Sequence, residues 1–287
     1  MTLTNQQQKV LEALAEFRYL TVQQMLSMDI SKSSHSLRRN TLSRLTDAHR
    51  KMVKSHDFGW IPQRGRLSRV YYLTPYGVKI LSEIQRVSIN EIDYPKGGIQ
   101  YSSDYTHRLH FINFHIGFKH WINQQNKTVE FFYAYFDKIG NQRAGKVRST
   151  AKTCVSLKRT IYKQLKSKTF IPDGLTRYQD GNKSRLVVIE IHNGVHSQRI
   201  THQLLDHLEA LQQGLFSRKY QHAKANYVLS VHENQSTLKS VKNRLMNRAE
   251  FQPFLPLFLF NTQAQTNQDF SQNWTLADGS KTALFRK

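Results

Sequence analysis

One segment, residues 170–192, constrains the fold of this 287-residue chain more than any other. It reads FIPDGLTRY and SRLVVIEIH, two runs with strand character, joined by QDGNK. The Asp180-Gly181 pair in that turn is a strong hairpin signal, so the segment predicts two antiparallel strands of a β-sheet. It also places two carboxylates, Asp173 and Glu190, in apolar surroundings. Burying acids without a cation or another partner is costly, so their position needs an explanation.

The elements around this hairpin indicate a mixed sheet flanked by helices. From residue 104 onward, periodicity predicts the order α-β-β-β-α-β-α-β. The expected helices lie at 104–124, 196–217 and 235–249, and the further strands are VEFFYAYF, NYVLSV and FLPLFLF. The first of these helices is apolar on two sides, so we expect it to be largely buried.

A basic stretch precedes the hairpin. Between Asp137 and Asp173 the chain has many Lys and Arg residues and no acid. Such a stretch is expected to be a loop that is functional, disordered or simply solvated. Lys158 and Arg159 are its candidate DNA contacts.

The charge of the whole chain indicates a polyanionic partner. It has 42 Lys and Arg against 20 Asp and Glu, a formal net charge of +22, and double-stranded DNA is the leading candidate. RNA is less favoured because no stacking motif with interleaved aromatics is evident. The single cysteine, Cys154, excludes a disulfide framework and a CxxC cluster and is consistent with a reducing cytoplasm. No signal peptide and no apolar run of ~18 residues occurs, so no membrane contact is expected.

Residues 1–92 have the pattern of a winged helix-turn-helix. Val10, Leu11, Leu14 and Phe17 recur at helical spacing, Thr21 caps a second helix, and a third is expected at about 36–52. The segment VKSHDFGWIPQRGRLSRVYYLT reads as strand, turn, strand, and Thr74-Pro75 begins another helix. The segment IDYPKGGIQYSS lacks periodicity. We therefore predict a DNA-binding domain at 1–92, a linker at 93–103 and an α/β domain at 104–287.

The third helix of this domain would enter a major groove, and the hairpin would form the wing. The candidate DNA contacts on the helix are Arg38, Arg39, Asn40, Ser43 and Arg44. In the wing, made of 63–66, Arg64 and Arg66 would contact phosphate or the minor groove. Alternatively, this fold mediates dimerisation or protein contact and its arginines are only solvated. A homodimer is left open.

The two carboxylates of the hairpin can share one divalent cation. Asp173 and Glu190 lie near adjacent strand ends and offer the oxygen ligands that Mg²⁺ prefers. Such a metal neutralises a phosphodiester and activates water. The alternative is structural: a turn-forming Asp and a strand-end Glu paired with a base.

The spacing of Pro172-Asp173 and Glu190-Ile191-His192 resembles the PD-(D/E)XK restriction-endonuclease-like core, in which a lysine usually stands where His192 does. His192 could be a base, a third metal ligand that favours Mn²⁺, or the sign of lost catalysis. On the following helix, Gln203 resembles the glutamine of a Gln-x-x-x-Tyr element, with His207 in place of the tyrosine.

The segments LTVQQML, LRRNTLSRL, RVYYLTPYGVKIL, THRLHF, IPDG and VIEIHNGVHS together resemble the replication-relaxation family, which includes MOBC-type mobilisation relaxases. The resemblance covers roughly residues 8–215. It implies a winged-helix reader fused to a nuclease-like domain that nicks one strand at a transfer origin, with accessory mobilisation proteins and a coupling protein as partners. It also implies an active-site role for His107.

The leading hypothesis is a Mg²⁺- or Mn²⁺-dependent DNA endonuclease acting in plasmid mobilisation or replication initiation. No His-x-His occurs, which disfavours the relaxase class built on that motif. No tyrosine has a nucleophile motif, so cleavage without a lasting tyrosyl link is predicted. The alternative is a non-catalytic regulator or origin-binding protein with a degenerate nuclease domain.

Overall fold

The structure is a computed structural model that describes residues 3–47, 49–62, 65–96, 104–139, 150–161, 164–282 and 284. The chain divides into two compact units, Met1–Ile116 and Gly117–Lys287. The division falls inside a long helix, whereas the sequence placed a linker at 93–103. Residues 97–103 lie outside the described residues, so that linker stays a prediction.

The helices of the first unit are α1 (Asn5–Phe17), α2 (Val22–Ser27), α3 (Ser34–Ser36), α4 (Ser43–Asp47) and α5 (Pro75–Gln85). A π-helical segment, Leu37–Leu42, joins α3 to α4 without a break, and a 3-10 turn covers Ile89–Glu91. The long helix α6 (Tyr105–Gln124) contains the division between the units.

Threonine caps fix where three of these helices begin. The side chains of Thr4, Thr21 and Thr74 each accept a hydrogen bond from the backbone N–H three residues further on, which satisfies one of the unpaired donors of the first turn. The predicted caps at Thr21 and Thr74 are therefore confirmed.

The helix expected at about 36–52 is displaced toward the N-terminus. It begins after Ser33, whose side chain accepts from the N–H of Ser36, and it ends at Asp47. Met52 lies outside it because its carbonyl oxygen accepts a hydrogen bond from the N–H of Thr74 at 3.0 Å. That contact holds the chain at the start of the next strand.

The first unit also contains a small antiparallel sheet in the order β1-β5-β2 and a separate hairpin of β3 with β4. These strands are β1 (Leu20–Thr21), β2 (Val53–His56), β3 (Trp60–Ile61), β4 (Gly65–Arg66) and β5 (Val70–Leu73). The predicted succession of strand, turn and strand is confirmed. Of the expected wing, Gln63 and Arg64 lie outside the described residues.

The second unit is built on a mixed sheet of five strands in the order β14-β13-β12-β11-β6. The β6-β11-β12 pairs are antiparallel and the β12-β13-β14 pairs are parallel. The strands of the unit are β6 (Thr128–Ala134), β7 (Lys138–Ile139), β8 (Thr150–Ala151), β9 (Val155–Ile161), β10 (Gln164–Phe170), β11 (Gly174–Asp180), β12 (Lys183–His192), β13 (Tyr227–His232) and β14 (Phe258–Thr262). The expected α/β class with a mixed sheet is confirmed.

The helices of this unit after α6 are α7 (Ser197–Gln212), α8 (Leu215–Lys219), α9 (Gln235–Met246) and α10 (Gln263–Gln268). Two apolar clusters pack between α7 and the sheet. One joins α7, α9, β13 and β14 through residues that include Leu204, Leu208, Val241, Val228 and Phe258. The other joins β9, β11 and β12 through residues that include Leu157, Leu175, Leu186 and Val188. Each such side chain, when fully buried, contributes about 1.5–3 kcal/mol.

Two expectations about this unit were wrong in part. FLPLFLF is not one strand, because Ala249–Leu257 forms 3-10 helix and only Phe258 onward is extended. Pro256 has no N–H to donate to a ladder, which keeps its segment out of the sheet. The basic stretch is not simply a loop either, since β9 and β10 in it form an antiparallel hairpin.

In the second half of α6, Phe118 and Trp121 are buried as expected and pack against Tyr178 of β11. No helix in the described part of the chain combines the length and apolar character needed to cross a bilayer.

Candidate functional site

The open end of the β11–β12 hairpin brings Asp173 and Glu190 together. Gly181, with a φ of 58°, lies in the turn at the other end, and the ladder pairs Gly174 with Ile189. Asp173 therefore lies opposite Glu190. Its N–H donates to Oε2 of Glu190 at 3.4 Å, and its own Oδ2 accepts from the N–H of Ile191 at 2.7 Å. The two acidic residues, predicted near adjacent strand ends, are therefore neighbours across the hairpin.

Glu190 is buried against a histidine of α7. Oε2 of Glu190 lies 3.0 Å from Nε2 of His207, and the two side chains are 7% and 0% exposed. Burial lowers the pKa of His207 to about 4, although the charges of Asp173 and Asp206 act in the opposite direction. The imidazole is therefore neutral near pH 7, and its Nε2–H donates to the carboxylate. Among the described residues its Nδ1 has no hydrogen-bond partner.

The sequence predicted Gln203 as the site residue of this helix and assigned no role to His207, which it placed only at the tyrosine position of the Gln-x-x-x-Tyr element. His207 is buried, as are its helix neighbours Leu204 and Leu208. A buried histidine on an otherwise apolar helix face is the signal that could have identified it. Gln203 is half-buried, and no hydrogen bond joins its side chain to another described residue.

His192 belongs to a second buried polar group. Its Nε2 lies 3.1 Å from Oγ of Ser230, and that Oγ lies 2.9 Å from Nε2 of His232. The β12–β13 register, which pairs Glu190 with Ser230 and His192 with His232, places all four side chains on one face of the sheet. Burial, together with the positive charge of Lys242, lowers the pKa of His232 to about 3. Ser230 and His232 were not anticipated, although their alternation within the apolar NYVLSVH run signals them.

The donor set suits a hard divalent cation bound by two carboxylates. In the described residues no group of three or more His, Cys, Asp or Glu side chains is arranged to hold a metal ion. Metal ligation by His192 together with Asp173 and Glu190 stays a prediction. Mg²⁺ often uses only one or two carboxylates and completes its shell with water and substrate phosphate. Asp173 and Glu190 fit that mode, and a metal bound to them stays a prediction.

The basic hairpin β9–β10 flanks this site. The ring of Phe170 meets His207 edge-on at 4.8 Å, and the hydroxyl of Thr153 donates to the carbonyl of Pro172. Arg159 binds Asp206 and Glu209 of α7 at 2.6 and 2.7 Å, whereas the Lys158 side chain is exposed. Of the two predicted DNA contacts, Arg159 thus anchors the hairpin and Lys158 faces solvent.

The other predicted DNA contacts lie in the first unit. Arg38, Arg39, Asn40 and Arg44 are exposed on the helical run of 34–47, and Ser43 is half-buried with its hydroxyl bonded to the carbonyl of Arg39. Arg66 is exposed on β4, and Arg64 lies outside the described residues. His107 is half-buried on α6 in the first unit, and its predicted active-site role stays a prediction.

Fold and site together define an α/β protein whose mixed sheet carries buried carboxylate and histidine side chains on one face. Comparison of the chain with protein-family models, with curated proteins and with solved structures gave no significant match.

Proposed function

We propose that this protein is a metal-dependent DNA endonuclease that nicks one strand at a transfer or replication origin, as a relaxase does. The observation that carries the proposal is the contact between Asp173 and Glu190 at the open end of β11 and β12. The same two strands form the centre of a sheet whose order, with α6 before it and α7 between β12 and β13, fits a PD-(D/E)XK-like domain.

Each residue of the cluster has a role in this proposal. Asp173 and Glu190 would hold one Mg²⁺ or Mn²⁺, which supplies charge neutralisation of the phosphodiester and a more acidic bound water. The backbone N–H of Ile191 fixes one oxygen of Asp173, and His207 fixes one oxygen of Glu190. Both carboxylates are therefore oriented before substrate binds, which reduces the reorganisation that catalysis requires.

The first unit would recognise the DNA. Helices α1 and α2, the helical run of 34–47 and the β3–β4 hairpin follow each other in the order of a winged helix-turn-helix. The exposed arginines of 34–47 would contact base edges and phosphates of a major groove. Accessory mobilisation proteins and a coupling protein would be its partners in that process.

One observation favours a second function, a DNA-binding regulator or origin-binding protein without catalysis. His192, at the position where a PD-(D/E)XK enzyme has its lysine, is buried and hydrogen-bonded to Ser230. Ser230 in turn contacts His232, so the three side chains form a hydrogen-bonded chain from β12 to β13. In this alternative the buried histidines stabilise the sheet and the carboxylates have a structural role.

The two functions separate in a nicking assay on supercoiled plasmid that carries the native flanking DNA, with Mg²⁺ or Mn²⁺ added. Wild type should give open-circular product, and Asp173→Asn and Glu190→Gln should reduce its rate by at least about a hundredfold, because each removes a charge that holds the metal. Both substitutions keep hydrogen-bonding oxygens for Ile191 and His207. Asp269→Asn, an exposed acid of the same unit, is the matched control and should nick normally.

Metal binding should also raise the melting temperature of wild type but not of Asp173→Asn. If wild type binds the plasmid without nicking it under either metal, the regulator replaces the nuclease. If the two site variants nick as fast as wild type, these carboxylates are not the site.

A further inference from the structure

The hairpin of the first unit exposes a large aromatic side chain that the proposed function does not use. Trp60, the first residue of β3, is 68% exposed, and its strand partner across the ladder is Arg66. The chain has three tryptophans, and the other two, Trp121 and Trp274, are buried. Ile61 beside Trp60 is also exposed. Tryptophan is enriched among the residues that contribute most to binding at interfaces, so an indole this exposed suggests a partner.

The base of the hairpin is held in place, so the indole has a defined position. The ring of Phe58 packs edge-on against Tyr105 at 4.8 Å, and the N–H of Leu67 donates to the carbonyl of Gly59 at 3.0 Å. In a regular strand, Phe58 and Trp60 would lie on the same face because side chains alternate. Gly59 between them has a φ of 75°, which interrupts that alternation. Phe58 therefore points inward while Trp60 points to solvent.

The charges around Trp60 suit a polyanion. Asp57 is bound by Arg66 at 2.7 Å and by Arg69 at 3.4 Å, and it accepts from the N–H of Gly59. The hydrogen bond from Arg66 is the main reason that the pKa of Asp57 falls to about 2. The negative charge of Asp57 is thus balanced within the hairpin. The Arg66 side chain stays 73% exposed, and its guanidinium has five donors, more than this contact uses.

We propose that Trp60 is a stacking platform for an unpaired base, with Arg66 bound to the adjacent phosphate, and that the protein prefers DNA at which the strands are separated. This inference rests on the proposed DNA function. A flat ring stacks on every base, but a paired duplex presents base faces only at its ends. Wedging the ring between paired bases requires that they unstack, which an unpaired base does not, so the unpaired base is the favoured partner.

The test compares two labelled DNAs of one sequence, a fully paired duplex and the same duplex with an internal unpaired stretch, by fluorescence anisotropy. Wild type should bind the second DNA about tenfold more tightly. Trp60→Ala should bind both with the affinity that wild type has for the paired duplex. Trp60→Phe should retain part of the preference, and Ile61→Ala, the neighbouring exposed residue, should retain all of it.

Tryptophan emission gives a second reading. Binding of the unpaired DNA should quench wild-type emission, and Trp60→Phe should lose that quenching because its remaining tryptophans are buried. Equal binding of both DNAs by wild type, or an unchanged preference in Trp60→Ala, would overturn the inference alone. If wild type binds the paired duplex more tightly and this preference requires Trp60, the indole inserts between paired bases and the proposed stacking on an unpaired base is wrong. Binding to neither DNA would remove the proposed function and this inference together.

Discussion

At the residue scale, two buried histidines determine how the site responds to acid. His207 bonds to Glu190 and His232 bonds to Ser230, each through Nε2, and neither Nδ1 has a partner among the described residues. A second proton on either ring would be a charge with little solvent around it. Both histidines therefore stay neutral in the folded protein at pH values where an exposed histidine is charged.

We expect the metal-free protein to lose stability as the pH falls from 7 to 5. Burial lowers the pKa of His207 to about 4 and that of His232 to about 3, while the unfolded chain protonates near 6.5. Because the unfolded state then binds more protons, the free energy of unfolding decreases through this window by about 1–2 kcal/mol per histidine. Chemical denaturation at several pH values measures it.

The double variant His207→Gln and His232→Gln should show a smaller decrease over the same range, since neither site then titrates. His202→Gln, an exposed position of α7, is the matched control and should keep the wild-type decrease. An identical pH dependence in the double variant and in wild type would show that other groups cause the loss.

At the element scale, the LTPYG segment sets how α5 packs in the first unit. The hydroxyl of Thr74 accepts from the N–H of Gly77, and the N–H of Thr74 donates to the carbonyl of Met52. A Cβ on Gly77 would lie 2.1 Å from that same carbonyl oxygen. A glycine is therefore required at 77, because the backbone of α5 lies close to the carbonyl of Met52. The hydrogen bond from Thr74 fixes the position of that carbonyl.

Gly77→Ala should therefore destabilise the first unit by about 1–3 kcal/mol or more, because a backbone carbonyl cannot move aside as a side chain can. Thermal unfolding of the full chain measures the loss. Gly117→Ala is the comparison, because the closest atom to its Cβ would be a side-chain ring carbon of Phe270 at 3.1 Å, while the backbone oxygen of Thr266 lies at an ordinary 3.7 Å. Equal losses in the two variants would contradict the backbone explanation.

At the scale of the whole molecule, the excess of positive charge divides into internal and external parts. Arg159 and Lys168 bind Asp206 of α7, so they hold the basic hairpin to its own unit. The exposed Lys158 and the arginines of 34–47 face solvent. The net charge of +22 therefore indicates electrostatic attraction to DNA, but it does not identify the residues that bind DNA.

DNA affinity should fall steeply as the salt concentration rises. The adjacent residues Lys158 and Arg159 should contribute differently to that salt dependence. Lys158→Ala should reduce the slope of log K against log salt by about 1, because one phosphate contact is lost. Arg159→Ala should leave the slope nearly unchanged and lower the melting temperature, at a cost of about 1 kcal/mol for these partly exposed pairs. Titrations at four salt concentrations, with melting curves of both variants, test this. Equal slopes for both variants would remove the assignment of Lys158.

The local sequence determined much of the fold and half of the site. Thr21 and Thr74 mark their helix starts because capping is a short-range interaction, and the Asp180-Gly181 turn fixes the pairing that brings Asp173 opposite Glu190. The prediction of one strand over FLPLFLF was wrong because Pro256 within it and Pro253 just before it lie in 3-10 helix, which its apolar character does not reveal. The helix at 34–47 ends before Met52, whose carbonyl oxygen accepts a hydrogen bond from Thr74, a residue distant in sequence.

Only the tertiary structure decided which side chains surround the carboxylates. His207 comes from a helix and Ser230 and His232 from a parallel strand, and parallel neighbours are joined by crossovers whose length does not set their register. Likewise, Lys158 and Arg159 look equivalent in sequence, but packing against α7 pairs one with acids and leaves the other exposed. The local sequence determines short-range hydrogen bonds and strand alternation, whereas the partners of a buried polar group depend on how distant segments pack.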